Sequence, residues 1–303
     1  MANSDMKLYD YVDPVDAECV RRETEELMRE FFPDYDGRIF HRAFADVQRL
    51  FVGRYPGYRA SNTKYHNFEH TCSVVLASAR LIYGAMTRDE SFSEQDCLKG
   101  LLAALFHDVG LIQDVDDTQG TGAKHTVGHE ERSIQFMRCY LAGVLDEQGI
   151  EDIADCIRCT ILAMSPAKIV FRTEAMRRMG HFTGTADLLA QIADRYYLEK
   201  LLMLFEEFKE AKLPGYGNAL DLAVKTRSFY KDVARKRLDG EFRGADRYML
   251  DYFRSRQKVD KDLYREAIDN NLAYLDKILA ECNDDLDKFT ARLRRSNGQE
   301  PFC

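Results

Sequence analysis

The chain has 303 residues, 45% of them hydrophobic and 31% charged, enough to bury one large core beneath a well-solvated exterior. Its net charge of -8 argues against a general duplex-binding role, because phosphate backbones are gripped by clustered Lys and Arg. A small anionic substrate would then need local positive charge, which bound divalent cations can supply. Only six prolines and an abundance of Leu, Ala, Glu, Arg and Asp favour long helices over a turn-rich sheet protein.

The first residues, MANSDMKLYDYVDP, contain no apolar run of the signal-peptide kind. No later stretch approaches the ~18 apolar residues of a membrane span. A cytoplasmic protein without membrane contact is the expectation. Eight cysteines, at 19, 72, 97, 139, 156, 159, 282 and 303, are scattered through helix-like segments as free thiols are. Cys156 and Cys159 have metal-site spacing but no second pair, and they lie in the apolar run DIADCIRCTILAM, so they read as packing.

In chain order, apolar residues at three- and four-residue spacing predict helices over 16–32 and 38–51. A Gly-, Pro-, Ser- and Asn-rich loop follows, ending at Asn67, a residue type suited to cap a helix over about 68–83. Ser93-Glu94-Gln95-Asp96 resembles a capping box, and LLAALF carries the next helix to His107-Asp108, where Gly110 ends it. Residues 113–124 read as an acidic loop. Helices are then expected over 126–144, 151–164, a segment after Ser165-Pro166, 185–212 with a break, 218–238 and 245–256, and one or two over 260–293. There is no internal repeat. The whole chain is read as one all-α domain, its motif-bearing core at about 38–212 and a C-terminal helical part at 213–303.

Five of the seven histidines fall at 66, 70, 107, 125 and 129, including the i,i+4 pairs His66/His70 and His125/His129. Random placement would give about 0.1 such pairs, so two of them justify a site hypothesis. Four-residue spacing on a helix puts both rings on one face. His107 and Asp108 diverge by about 100° on a helix and share a metal only if it lies off the helix end. Imidazole and carboxylate donors without thiolate spacing suit a hydrolytic Mn, Fe, Zn or Mg centre. His41 and His181 read as structural residues.

Tyr65-His66-Asn67-Phe68-Glu69-His70, followed downstream by His107-Asp108, resembles the HD-domain phosphohydrolase superfamily, and within it the cyclic nucleotide phosphodiesterase catalytic domain. The resemblance implies an HD-domain/phosphodiesterase-like helical bundle, a binuclear divalent metal centre and hydrolysis of a phosphodiester by a metal-bridging hydroxide. Position by position, it makes His66 the general acid, His70, His107 and Asp108 metal ligands, and Asp108 the bridge. It calls for a last Asp downstream, met by Asp187 near the start of the helix expected from 185, with Asp194 as the rival. The chain departs from the cyclic nucleotide enzymes after the HD pair. Its His125 and His129 are closer to the HD-GYP branch, which uses further histidines for a second metal, yet Leu111 stands where that branch has Lys.

Tyr65, Asn67 and Gln191 are the candidate substrate contacts, Gln191 lying one helical turn after Asp187. The expected ligand is a small phosphate ester, with room left for a homodimer. Hydrolysis of phosphomonoesters or nucleoside triphosphates, and a non-catalytic helical signalling module, are the competing readings.

Overall fold

The computed structural model describes residues 6–88 and 90–293. Cys303 and the first five residues of the N-terminal reading lie outside them, and the seven described cysteines are free thiols. The described residues are helical, with no strand and two isolated β-bridges. No described helix is long and apolar enough to cross a membrane.

Among the described residues thirteen α-helices follow one another: α1 (Leu8–Tyr11), α2 (Ala17–Phe31), α3 (Arg38–Phe51), α4 (Phe68–Thr87), α5 (Glu94–Phe106), α6 (His129–Leu141), α7 (Glu147–Arg158), α8 (Glu174–Ile192), α9 (Tyr197–Glu210), α10 (Ala219–Phe229), α11 (Tyr248–Tyr252), α12 (Leu263–Cys282) and α13 (Leu286–Arg292). At the centre α4 packs against α2, α5, α8 and α11, and it is buried on nearly every side, as a core helix apolar all round must be.

Side-chain caps set several starts. Asn67 Oδ1 accepts from the His70 N–H at 3.1 Å, and Ser93 and Asp96 form the reciprocal capping box that starts α5. Asp146 accepts from the Gly149 N–H and starts α7 earlier than its apolar pattern indicates. That helix also ends earlier than expected, at Arg158. The buried Arg237 guanidinium takes up the carbonyls of Cys159, Ile161, Leu162 and Met164, so these groups are satisfied outside a helix. The helix expected directly after Ser165 is a single 3-10 turn, Pro166–Lys168.

The largest correction concerns α8, which begins eleven residues before the expected start at 185 (185 minus 174). Thr173 caps it, accepting from the Met176 N–H. Gly180 and Gly184 lie inside it, at positions where neighbours approach too closely for a side chain. A Cβ on Gly184 would fall 2.7 Å from the Cys159 carbonyl oxygen and collide with the Phe242 ring. The helix expected over 218–238 runs unbroken from Ala219 to Glu241, but after Phe229 it widens into π-turns, such as the one closed by Phe242 N–H donating to the Arg237 carbonyl.

Between α8 and α9 the buried Lys200 ammonium joins Asp194 (2.5 Å) and Glu69 (3.0 Å), tying the first turn of α4 to this corner. Lys200→Met would leave two carboxylates without their cation and should cost about 3 kcal/mol of stability. Equilibrium urea unfolding reads it, and an unchanged midpoint would show that the triad contributes nothing.

Candidate metal centre

Four helices bring the histidine and aspartate side chains to one point. His70 is the third residue of α4, His107-Asp108 closes α5, His129 opens α6 and Asp187 lies well inside α8. At the α5 end Asp108 leaves helical geometry, with ψ near 0°, which turns its carboxylate toward the His107 ring. This exit is held by α6. Ser133 Oγ donates to the His107 carbonyl (2.6 Å) and accepts from the Gly110 N–H (2.8 Å), while Arg132 Nε donates to the Gly110 carbonyl. Gly110 sits so close to α6 that a Cβ there would strike the His129 carbonyl oxygen.

Carbonyl oxygens only accept, so they fix the ring tautomers. His107 Nδ1–H donates to the Ala104 carbonyl and His129 Nδ1–H to the Thr126 carbonyl, each at 2.8 Å, leaving both Nε2 lone pairs for the cluster. His70 Nε2 is 3.2 Å from Asp187 Oδ1 and 3.5 Å from Asp108 Oδ2. His107 Nε2 is 3.1 Å from Asp108 Oδ2 and 3.8 Å from Asp187 Oδ1. The other Asp108 oxygen, Oδ1, faces His129 Nε2 at 3.2 Å. Asp108 therefore presents one oxygen to His70 and His107 and the other to His129, the arrangement of a carboxylate able to serve two adjoining sites.

His70, His107 and Asp187 each offer a donor atom within 4.8 Å of the others. His107 Nε2 and Asp108 Oδ2 are buried and, among the described residues, neither makes a hydrogen bond, although they face each other. Two unpartnered buried acceptors side by side are costly unless something positive joins them. Without a cation between them a proton takes its place: burial works against an imidazolium, but the Asp108 carboxylate outweighs it and carries His107 and His129 up to about 9, each Nε2–H then facing that carboxylate. Burial likewise opposes the Asp108 charge, and His107 and His129 hold its carboxyl well below the usual range. The donor set fits a divalent cation. Its accessible side lies at Asp187, whose side chain is 22% exposed against 1% for His107.

His66 lies before α4, not on it, so the His66/His70 spacing is not one helix face; the extended backbone at Asn67 brings the rings to 5.8 Å between centroids. His66 Nδ1 is 2.6 Å from Glu207 Oε2, and the other Glu207 oxygen accepts from the Tyr65 N–H at 2.7 Å. Burial disfavours the charged ring, yet the Glu207 carboxylate raises the His66 pKa. Glu207 had no motif to mark it. Its one signal is position, since α9 buries Tyr197, Leu201 and Leu204 and an acid follows on the same stripe.

Three expected contacts take other roles. His125 is not brought to the cluster. It ends a separate 3-10 turn, Gly122–His125, and its Nε2 faces Asp117 at 3.2 Å. Gly128, at φ +87°, separates that turn from α6, so His125 and His129 share no helix face. Asn67 spends its carbonyl oxygen on the α4 cap, and Tyr65 is a buried wall whose ring packs against His66 and His70. Gln191 is half-buried one turn beyond Asp187. Asp194 is committed to Lys200 and to the Tyr196 N–H, away from the cluster donors.

A family model described as Npun_R2479-like matches residues 55–145. That stretch holds His66, His70, His107, Asp108 and His129, and ends before Asp187 and Glu207. The family is uncharacterised. No curated protein matches the chain.

Proposed function

We propose that this protein is a metal-dependent phosphoester hydrolase of the HD-domain type, acting on a phosphodiester of the cyclic nucleotide class. The observation that carries the reading is the unpartnered pair His107 Nε2 and Asp108 Oδ2, buried within a converging set of imidazoles and carboxylates. The donor chemistry, nitrogen and oxygen without sulfur, suits Mn, Fe, Zn or Mg. His70, His107, Asp187 and Asp108 would hold one ion, and Asp108 with His129 a second. Bound there, such ions supply charge for the phosphoryl oxygens and acidify water.

The chain's own residues account for the remaining chemistry. An alkoxide leaves a phosphodiester poorly unless a proton reaches it. His66, hydrogen-bonded through Nδ1 to Glu207 and with its ring centre 6.2 Å from that of His129, keeps Nε2 as a proton donor. Glu207 orients that ring and stabilises its charged form, while Tyr65 closes the wall behind it. The nearly complete burial of His107 and Asp108 excludes bulk water from their side of the cluster.

The test is metal analysis of the purified protein together with turnover of cyclic mononucleotides, cyclic dinucleotides, nucleoside phosphates and bis(p-nitrophenyl) phosphate. Turnover confined to phosphomonoesters or nucleoside triphosphates would overturn the diesterase assignment. No turnover and no bound metal would overturn the hydrolase reading. The ligand set is tested by comparing Asp187→Ala with Asp194→Ala. Added metal should raise the melting temperature of the second protein and not of the first. The reverse pattern would place the last ligand at Asp194.

A further inference from the structure

A concave groove of about 540 Å³ lies between the N-terminal segment Lys7–Tyr9, the turn after α8 and one face of α12. It shares none of the histidine cluster's residues, and its volume is in the range of small-molecule sites, ~300–1,000 Å³. On a protein of net charge -8 its lining is basic, with Lys7, Arg195 and Lys277 against the single acid Glu266. Glu266 is paired with Lys261. Among the described residues neither Lys7 nor Lys277 has an ion-pair partner, and both are exposed.

Arg195 is the fixed part of this surface. Its guanidinium lies 5.5 Å from the Tyr9 ring centre and 4.9 Å from that of Tyr196, with Nη2 donating to Asp13 at 2.8 Å. A guanidinium held in this way loses little freedom when its other N–H groups meet an anion. Asn270 adds an exposed amide on the α12 wall. The neighbouring Asn271 donates to the carbonyls of Ile192 and Asp194 at the end of α8. The groove therefore rests on the helix that carries Asp187.

We propose that this groove binds a small phosphorylated organic anion of mononucleotide size, its phosphate between Lys7, Arg195 and Lys277. The site does not depend on the hydrolase reading. Two exposed lysines supply mobile charge, Arg195 supplies a preset fork, and the apolar stems with Tyr9 supply a surface for a ring.

Isothermal titration calorimetry of the full chain in EDTA, with adenosine 5′-monophosphate and with adenosine as separate probes, tests the proposal. The nucleotide should bind, and adenosine should bind at least tenfold more weakly. The Lys7→Glu/Lys277→Glu protein should lose at least tenfold in nucleotide affinity with its melting temperature unchanged, whereas His107→Ala should bind the nucleotide as the parent does. Absence of binding at millimolar nucleotide, equal affinity in the double variant, or loss of binding in His107→Ala would each overturn the site. The last result would move the anion to the histidine cluster.

Discussion

Asp108→Ala should emerge from purification without either metal and with activity reduced at least about a thousandfold, the loss expected when a whole metal centre is removed. Asp108 alone turns one oxygen toward His70 and His107 and the other toward His129, so no other single substitution touches both half-sites. His129→Ala should lose no more than one metal. His125→Ala should retain both, because Asp117 holds that ring elsewhere. Metal content by mass spectrometry, read beside circular dichroism to verify folding, distinguishes the four proteins. Full occupancy in Asp108→Ala would sink the arrangement, as would full activity of the parent protein after exhaustive chelation.

His66→Ala should lose about 10²–10⁴-fold in turnover of a natural ester with an alkoxide leaving group, the usual range for removing a general acid. On a p-nitrophenyl ester the loss should be far smaller, because that group departs without a proton. Metal content should be unchanged. Glu207→Gln keeps an oxygen near His66 Nδ1 but removes the charge that favours the protonated ring, so it should show the same leaving-group dependence at smaller size. The ratio of the two losses is the diagnostic. Equal losses on both esters would mean that His66 positions substrate or supports the metals instead of donating a proton.

Local chemistry was readable wherever a few adjacent residues suffice. Asn67 and Ser93 start helices because a short polar side chain satisfies amide groups two or three residues away, an interaction contained within the segment. The same holds for the all-helical class, which follows from apolar spacing and scarce proline. Extents were less legible. Thr173 and Asp146 begin α8 and α7 earlier than the apolar pattern indicated, and Arg237, far along the chain, accepts the duty of ending α7.

The sequence by itself determined which residue types meet as candidate ligands, since Tyr-His-Asn-x-x-His and His-Asp carry donors at fixed local separations. Only the tertiary structure decided which of them meet. His125 and His129 share the spacing of a helical pair, but a left-handed Gly128 between them sends one ring to Asp117 and the other to Asp108. Asp187 and Asp194 lie a heptad apart, and the choice between them rests on Lys200, a buried cation that claims Asp194. Glu207 reaches His66 across 141 positions, a contact no local pattern encodes. The physical reason is common to all three. Caps and periodicity are energies of neighbours along the chain, whereas a buried charge finds its partner only where packing of α4, α8 and α9 excludes water and leaves that partner as the one compensation at hand.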